Sequence, residues 1–257
     1  MNFELCYPCW KEKALTFSYD DGQIFDRRLV EILDKYGLKA TFHLNSGILD
    51  ADGFVTSKEI TGLYQNHEIA CHGARHEYPT HLAQERLVNE YYQDRLELER
   101  LCKRVIRGCS YAFGEYDDRV IATLRSVGIV YSRTVESAGG FRVPEDFMKW
   151  APTCHHNTAF DSDLAERFLE KPLYERLRLF CVWGHSFELE RENTWEKMEA
   201  FCEKMHGREE VWYTTCLDYA DYMTAARRLI FSADGTRAEN PSKIKIYAKL
   251  DGECRIL

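Results

Sequence analysis

Nine histidines and one pair of adjacent aspartates carry most of the chemistry legible in this sequence. Asp20 and Asp21 close the stretch Ala14–Gly22, A-L-T-F-S-Y-D-D-G. Neighbouring carboxylates repel, so a strand end followed by glycine needs a cation, a proton or full solvation to keep them together. His72 and His76, in C-H-G-A-R-H-E, offer donors of the complementary kind. With Asp21 they make a two-histidine, one-carboxylate set. Such a set suits a divalent metal, Zn²⁺ foremost and Co²⁺, Ni²⁺ or Mn²⁺ as alternatives, with positions left open for water and substrate. An H-x-x-x-H pair alone is a weak signal; the Asp-Asp-Gly strand end strengthens it by needing the cation that such a pair would bind.

These residues have to be positioned by an alternation of strands and helices. In Ala14–Gly22, Leu15, Phe17 and Tyr19 alternate with Thr16, Ser18 and Asp20, the period of a strand. Further strands are expected at Leu38–Leu44, His67–His72, Val105–Phe113, Ile129–Val135, Met148–Pro152, Leu177–Trp183 and Val211–Thr215. Helices are expected at Phe25–Tyr36, from the capping-box sequence Thr56–Glu59 to about Asn66, and at Leu82–Lys103, Asp117–Val127, Asn193–Met205 and Leu217–Arg227. The alternation implies an α/β fold, a closed parallel barrel or a doubly wound sheet. Polar residues recur at the carboxyl ends of the strands: Asp20 and Asp21, His72 and His76, Tyr111, Arg133, His155 and His156, and His185. A barrel brings those ends to one mouth, so a barrel is expected, over residues 1–227. Residues 228–257 read instead as short alternating segments with an Asp251-Gly252 hairpin signal, a small antiparallel C-terminal appendage packed on the barrel.

Composition limits the partners. A formal net charge of -8 without a Lys/Arg-rich run argues against nucleic acid and for neutral or weakly charged substrates. No segment reads as a signal peptide or a membrane span, so a cytoplasmic location and no membrane partner are expected. The ten cysteines are scattered and read as free buried thiols; Cys6 and Cys9 form a lone C-x-x-C without a second pair.

The residues resemble a family, the polysaccharide deacetylases with the NodB-homology domain, known as carbohydrate esterase family 4. Thr16–Gly22 is similar to its first motif, T-F-D-D-G, and His72–His76 to its second, H-[ST]-x-x-H, with Gly73 in the hydroxyl position. Val182–His185 resembles its last motif, a strand ending in histidine, and Ser110–Tyr116 takes the place of R-x-P-Y-G, with Phe113 where the tyrosine would be. The resemblance covers roughly Lys13–Ala226. It implies a distorted (β/α)7-type barrel, a divalent metal, and a hydrolase removing an acetyl group from an N-acetylated sugar or short oligosaccharide. It also implies roles: Asp20 as general base, Asp21, His72 and His76 as metal ligands, His185 as general acid. The third-motif arginine has no counterpart at Ser110, and Arg133 is the candidate replacement. The aspartate that would tune the acidic histidine is not recognisable; Asp161 or Asp163 is the candidate. Tyr111, Phe113, His155, His156 and Trp183, together with Phe187, are candidates for substrate contact. An amidohydrolase acting on a small linear or cyclic amide, and a catalytically silent carbohydrate-binding barrel, stand as alternatives; a homo-oligomer stays open.

Overall fold

The structure is a computed structural model that describes residues 2–170 and 177–257. In chain order it runs β1 (Phe3–Leu5), β2 (Lys13–Asp21), α1 (Asp26–Lys35), β3 (Ala40–Leu44), α2 (Ile60–Leu63), β4 (Glu68–Cys71), α3 (Gln84–Cys102), β5 (Gly108–Ser110), α4 (Asp118–Ser126) and β6 (Tyr131–Arg133). Then come β7 (Cys154–His155), α5 (His156–Asp161), α6 (Leu164–Leu169), β8 (Arg178–His185), α7 (Ser186–Arg191), α8 (Trp195–Met205), β9 (Val211–Tyr213) and α9 (Cys216–Arg227). The last strands are β10 (Ile230–Phe231), β11 (Ala238–Glu239), β12 (Tyr247–Leu250) and β13 (Glu253–Ile256). Strands β2 to β9 form one parallel sheet in the order β6-β5-β4-β3-β2-β8-β7, with β9 also on β2. The sheet curls towards closure: Trp150 exchanges hydrogen bonds with the β6 segment, and Thr153 N donates to Cys181 O of β8 at 2.8 Å. The result is a distorted α/β barrel with small antiparallel sheets beside it.

Central in this sheet is β2, and its register places the chemistry. It pairs with β3 from Phe17↔Ala40 to Asp21↔Leu44 and with β8 from Lys13↔Arg178 to Asp20↔His185. Asp20 therefore lies level with His43 on one side and His185 on the other. The two faces of β2 divide as the alternation predicts, and both are buried. Leu15, Phe17 and Tyr19 join the main core, where Phe17 meets Phe201 of α8 edge-on, 6.1 Å between centroids. Thr16, Ser18 and Asp20 are buried on the other face, in hydrogen bonds to Cys216, His43 and Ser110 respectively.

Several expected boundaries shift. The strand expected at Val105–Phe113 contracts to Gly108–Ser110 and gives way to a single turn at Ala112–Gly114. The strand expected at Met148–Pro152 is a turn at Phe147–Lys149 followed by one bridge from Trp150 to Arg133, and the strand itself lies at Cys154–His155. Pro152 has no N–H to give to a ladder, which accounts for the break. The helix expected from Thr56 keeps only Ile60–Leu63, although Glu59 accepts from Thr56 N at 2.7 Å as well as from Arg27. Near the C-terminus, β12 and β13 pair across Asp251-Gly252, both in left-handed backbone, and β1 from the other end of the chain adds the third strand. All ten cysteines are free, with Cys9 and Cys254 exposed and the others buried.

The polar barrel interior includes Glu68, which accepts from Thr41 Oγ1 at 2.7 Å, Tyr131 O–H at 2.7 Å and Leu217 N at 2.9 Å. Burial pushes its carboxyl from an ordinary 4.5 up to about 7 despite these bonds. The folded chain thus keeps a proton there that the unfolded chain has lost. Stability attributable to Glu68 falls as pH rises through that window and is level above it. Between about pH 5 and pH 8 the wild type is expected to lose about 1–3 kcal/mol more unfolding free energy than Glu68→Gln in urea titrations; parallel curves would refute this.

Candidate active site

The second polar cluster is built by α3. Its residues Glu90 and Asp94, four apart on one helix face, point their carboxylates at the backbone of the His72–His76 loop. Asp94 Oδ2 accepts from His72 N at 3.0 Å and Gly73 N at 2.9 Å, and its Oδ1 from Ser46 N at 2.8 Å; Glu90 Oε1 accepts from Arg75 N at 2.6 Å. Burial lifts Asp94 to about 7 in spite of those donors. Neither acid was singled out from the sequence, where a polar, amphipathic helix looks solvated; the signal was the i, i+4 pair on its inner face. Gly73 has φ 85°, and a Cβ there would stand 3.1 Å from Glu90 Oε1. This explains glycine in a position where the related motif has serine or threonine.

The loop brings His72 and His76 to Asp21. Nε2 of His72 lies 3.1 Å from Nε2 of His76, and Asp21 Oδ1 lies 3.6 Å from the first and 3.7 Å from the second. Ligands about 2.1 Å from a tetrahedral cation are roughly 3.4 Å apart, so this triangle has the size of three ligands around one ion. His72 Nδ1 is occupied by Ser110, at 3.0 Å from its carbonyl and 2.7 Å from its hydroxyl, which leaves Nε2 for the shared centre. Asp21 and His76 both sit in left-handed backbone, φ 79° and 55°, conformations costly for residues other than glycine and typical of functional sites. The donor set and its spacing fit a first-row divalent ion.

Asp20 is buried and turned inward from this triangle. Its Oδ2 pairs with Arg133 Nη2, and its Oδ1 accepts from Ser110 O–H at 2.9 Å. Arg133 is held in turn by Ser18 Oγ at 2.9 Å, by the Thr134 carbonyl at 3.2 Å and by the face of Trp183, 4.6 Å away. Burial by itself raises the Asp20 carboxyl, but Arg133 foremost and then His72 more than offset it and hold it well below the usual carboxylate range.

His185 has a carboxylate partner, though neither aspartate expected for it. Asp161 is exposed and bound to Lys197 at 2.6 Å, and Asp163 is exposed beside Arg167 at 3.6 Å. The partner is Glu188, one turn into α7, with Oε2 at 3.2 Å from His185 Nδ1 and accepting His185 N at 3.0 Å. Burial lowers the His185 imidazole, but Glu188, Asp20 and Asp21 outweigh it and leave the pKa above its ordinary value. Ser186 donates to buried Asp26 at 2.5 Å, which ties the end of β8 to the start of α1. The spacing H-x-x-E before a helix was the available signal for Glu188.

Of the expected substrate contacts, Tyr111 and His156 are corrected. Tyr111 is 1% exposed, bonds Met148 O at 2.7 Å and stacks on Tyr116, so it is a packing residue. His156 is fully buried between Tyr19 and Phe160, and a Cβ on Gly184 would collide with its Nδ1 at 2.1 Å. His155 is half-buried and bonds Glu188 Oε2 through Nε2 at 2.9 Å. Trp183 covers Arg133. Phe113 is 46% exposed, in left-handed backbone at φ 57°, stacked on Tyr78 at 3.7 Å and set against His76 at 4.4 Å.

Residues 8–132 match the family model for polysaccharide deacetylases. No curated protein matches by sequence. A solved polysaccharide deacetylase candidate from Mycobacterium smegmatis is similar at TM-score 0.65 and 16% identity, covering 87% of this chain and 94% of that one. A family 4 acetyl xylan esterase from Clostridium thermocellum, solved with a cobalt ion, gives 0.58 and 13%, covering 83% and 92%. A CE4 family pseudoenzyme from Bacillus anthracis gives 0.52 and 17%, covering 84% and 67%. At such identities the likeness speaks for the fold. Against two other solved deacetylases the match covers only 55% and 44% of those chains.

Removing Arg133 would leave Asp20 buried without its counter-charge. Arg133→Ala is expected to cost about 3–5 kcal/mol in chemical denaturation; a loss under about 1 kcal/mol would show that Asp20 does not depend on the pair.

Proposed function

We propose that this protein is a metal-dependent carbohydrate deacetylase that hydrolyses the acetamide of an N-acetylated sugar or short oligosaccharide. The observation that carries the reading is the register of β2 with β8 and the nearby His72–His76 loop. It sets an open metal-ligand triangle, an ionised buried carboxylate and a carboxylate-backed histidine around one strand end. Asp21, His72 and His76 would hold the cation. When bound, a divalent ion there supplies Lewis acidity towards the acyl oxygen and lowers the pKa of water.

The chain's own residues supply the proton traffic. Asp20 stays ionised and takes the proton released as water adds to the acyl carbon. Arg133 and Ser110 fix the carboxylate, so its orientation costs nothing at the moment of reaction. His185, whose pKa Glu188 raises, gives a proton in its protonated form to the departing sugar nitrogen as the C–N bond breaks, and acetate and the free amine leave. An oxyanion donor from the turn after β5 would have to be Ala112 or Phe113 N–H, since Tyr111 N already donates to Arg133 O at 3.1 Å.

A second reading, a silent carbohydrate-binding barrel, draws on one observation: both Asp20 oxygens are engaged, by Arg133 and Ser110. A panel of acetyl esters and chitooligosaccharides separates the two. Turnover on any member supports the deacetylase, and bound metal without turnover supports the silent barrel. Within the hydrolase reading, Asp20→Asn is expected to keep its metal and lose turnover by about 100-fold or more, whereas His72→Ala loses both; metal loss in Asp20→Asn would break this division of roles.

Glu188 gives a pH test with a definite sign. His185 acts in its protonated form, so activity falls as pH rises through its pKa. Glu188→Gln removes a group that raises that pKa, and the alkaline limb of the kcat profile should move to lower pH. An unmoved limb would assign it to another group.

A further inference from the structure

His155, His185 and Glu188 form a second group of metal-ligating side chains, separate from the Asp21–His72–His76 triangle, with donor atoms all within 4.8 Å of one another. The three carry three different backbone origins, β7, the end of β8 and α7, so no single element imposes their convergence. Glu188 Oε2 is the hub, at 2.9 Å from His155 Nε2 and 3.2 Å from His185 Nδ1. Both separations fall somewhat short of the roughly 3.4 Å expected between ligands of a tetrahedral ion.

His156 supplies an independent observation. It is fully buried, and neither ring nitrogen has a hydrogen-bond partner among the described residues. Buried imidazole nitrogens without partners are uncommon, because each forfeits the hydrogen bonds it had in water. The ring is clamped between Tyr19 and Phe160, with Nδ1 against Gly184, so that Nε2 faces Glu188 Oε2 at 3.8 Å. A donor is thus aimed into the cluster and left unsatisfied there.

We infer that His155, His185 and Glu188, with His156 behind them, form a second divalent-cation site that takes zinc-like ions and, when filled, disables the general acid. Imidazole nitrogens with one carboxylate select zinc over magnesium or calcium, which prefer all-oxygen shells. Asn157 N donates to His155 Nδ1 at 3.3 Å, which leaves the proton on Nε2 for Glu188. A cation would replace that proton and give His156 Nε2 its missing partner. With Nδ1 of His185 ligated, the ring can no longer become an imidazolium. The inhibitory consequence rests on His185 being the acid; the site itself does not.

Zinc titration of the chelator-stripped full chain, by calorimetry and by elemental analysis after gel filtration, tests this directly. Wild type is expected to bind two zinc ions per chain, and the His72→Ala/His76→Ala variant and Glu188→Ala one each. His155→Ala should weaken the second event, with circular dichroism confirming each fold. Magnesium should give no second event. A single zinc at saturation of the wild type, or two retained by a folded Glu188→Ala, would overturn the site. If the panel above shows turnover, excess zinc should then reduce it by about tenfold or more, and equal magnesium should not. Undiminished turnover with two zinc ions bound would overturn the inhibitory role alone, while absence of turnover leaves the stoichiometry to decide the site.

Discussion

The buried contact between Asp20 and Arg133 is the interaction on which the rest of this site depends. Both side chains lie inside the barrel with almost no exposure to solvent. A carboxylate there would ordinarily take up a proton, since burial penalises charge. A guanidinium there is equally costly unless paired. Each is the condition for the other, and the pair is embedded in further bonds to Ser18, Ser110 and the Thr134 carbonyl, with Trp183 over the guanidinium. Ser110 extends the arrangement outward, because the same hydroxyl that donates to Asp20 lies against His72 Nδ1. A charge inside the barrel and the orientation of the His72 ring are thereby joined through one serine.

Around that pair the protein uses carboxylates twice to hold backbone. Asp94 and Glu90 gather the N–H groups of the His72–His76 loop, and Asp26 takes Ser186 at the start of α7. These acids are buried and have backbone or hydroxyl donors around them, so they behave as fasteners of the two histidine-bearing segments. The strain they oppose is visible in the left-handed conformations of Asp21 and His76. Such conformations persist where surrounding bonds over-determine them. Phe113, also left-handed, closes the same corner by stacking on Tyr78 beside His76.

The departures from the related motifs make sense as exchanges between distant parts of the chain. Where the third motif would bring an arginine at Ser110, the guanidinium arrives from the next strand, at Arg133, and the serine becomes the link between Asp20 and His72. Where an aspartate would back the terminal histidine, Glu188 does so from the helix that follows it. Phe113 stands where the tyrosine would be, and the buried tyrosine of that segment, Tyr111, faces the core.

The alternation of strands and helices, the order of the motifs and the identity of Asp20, Asp21, His72, His76 and His185 as the residues of interest were legible in the sequence, because each lies at the end of a periodic apolar segment and periodicity is a local property. The short strands were less so: three-residue β5 and β6 owe their existence to the strands they pair with rather than to their own pattern. Glu188, Glu90 and Asp94 were hidden because acids on a helix look solvated until the packing shows which face is inward. His156 and Tyr111 were misplaced for the converse reason, since a polar or aromatic residue at a strand end looks like part of a mouth until burial is known. The sequence by itself determined which chemistry the chain can reach, through residue types and their spacing along strands. Only the tertiary structure decided which carboxylate faces which cation, because a pairing such as Asp20 with Arg133 joins residues 113 positions apart and depends on register and burial.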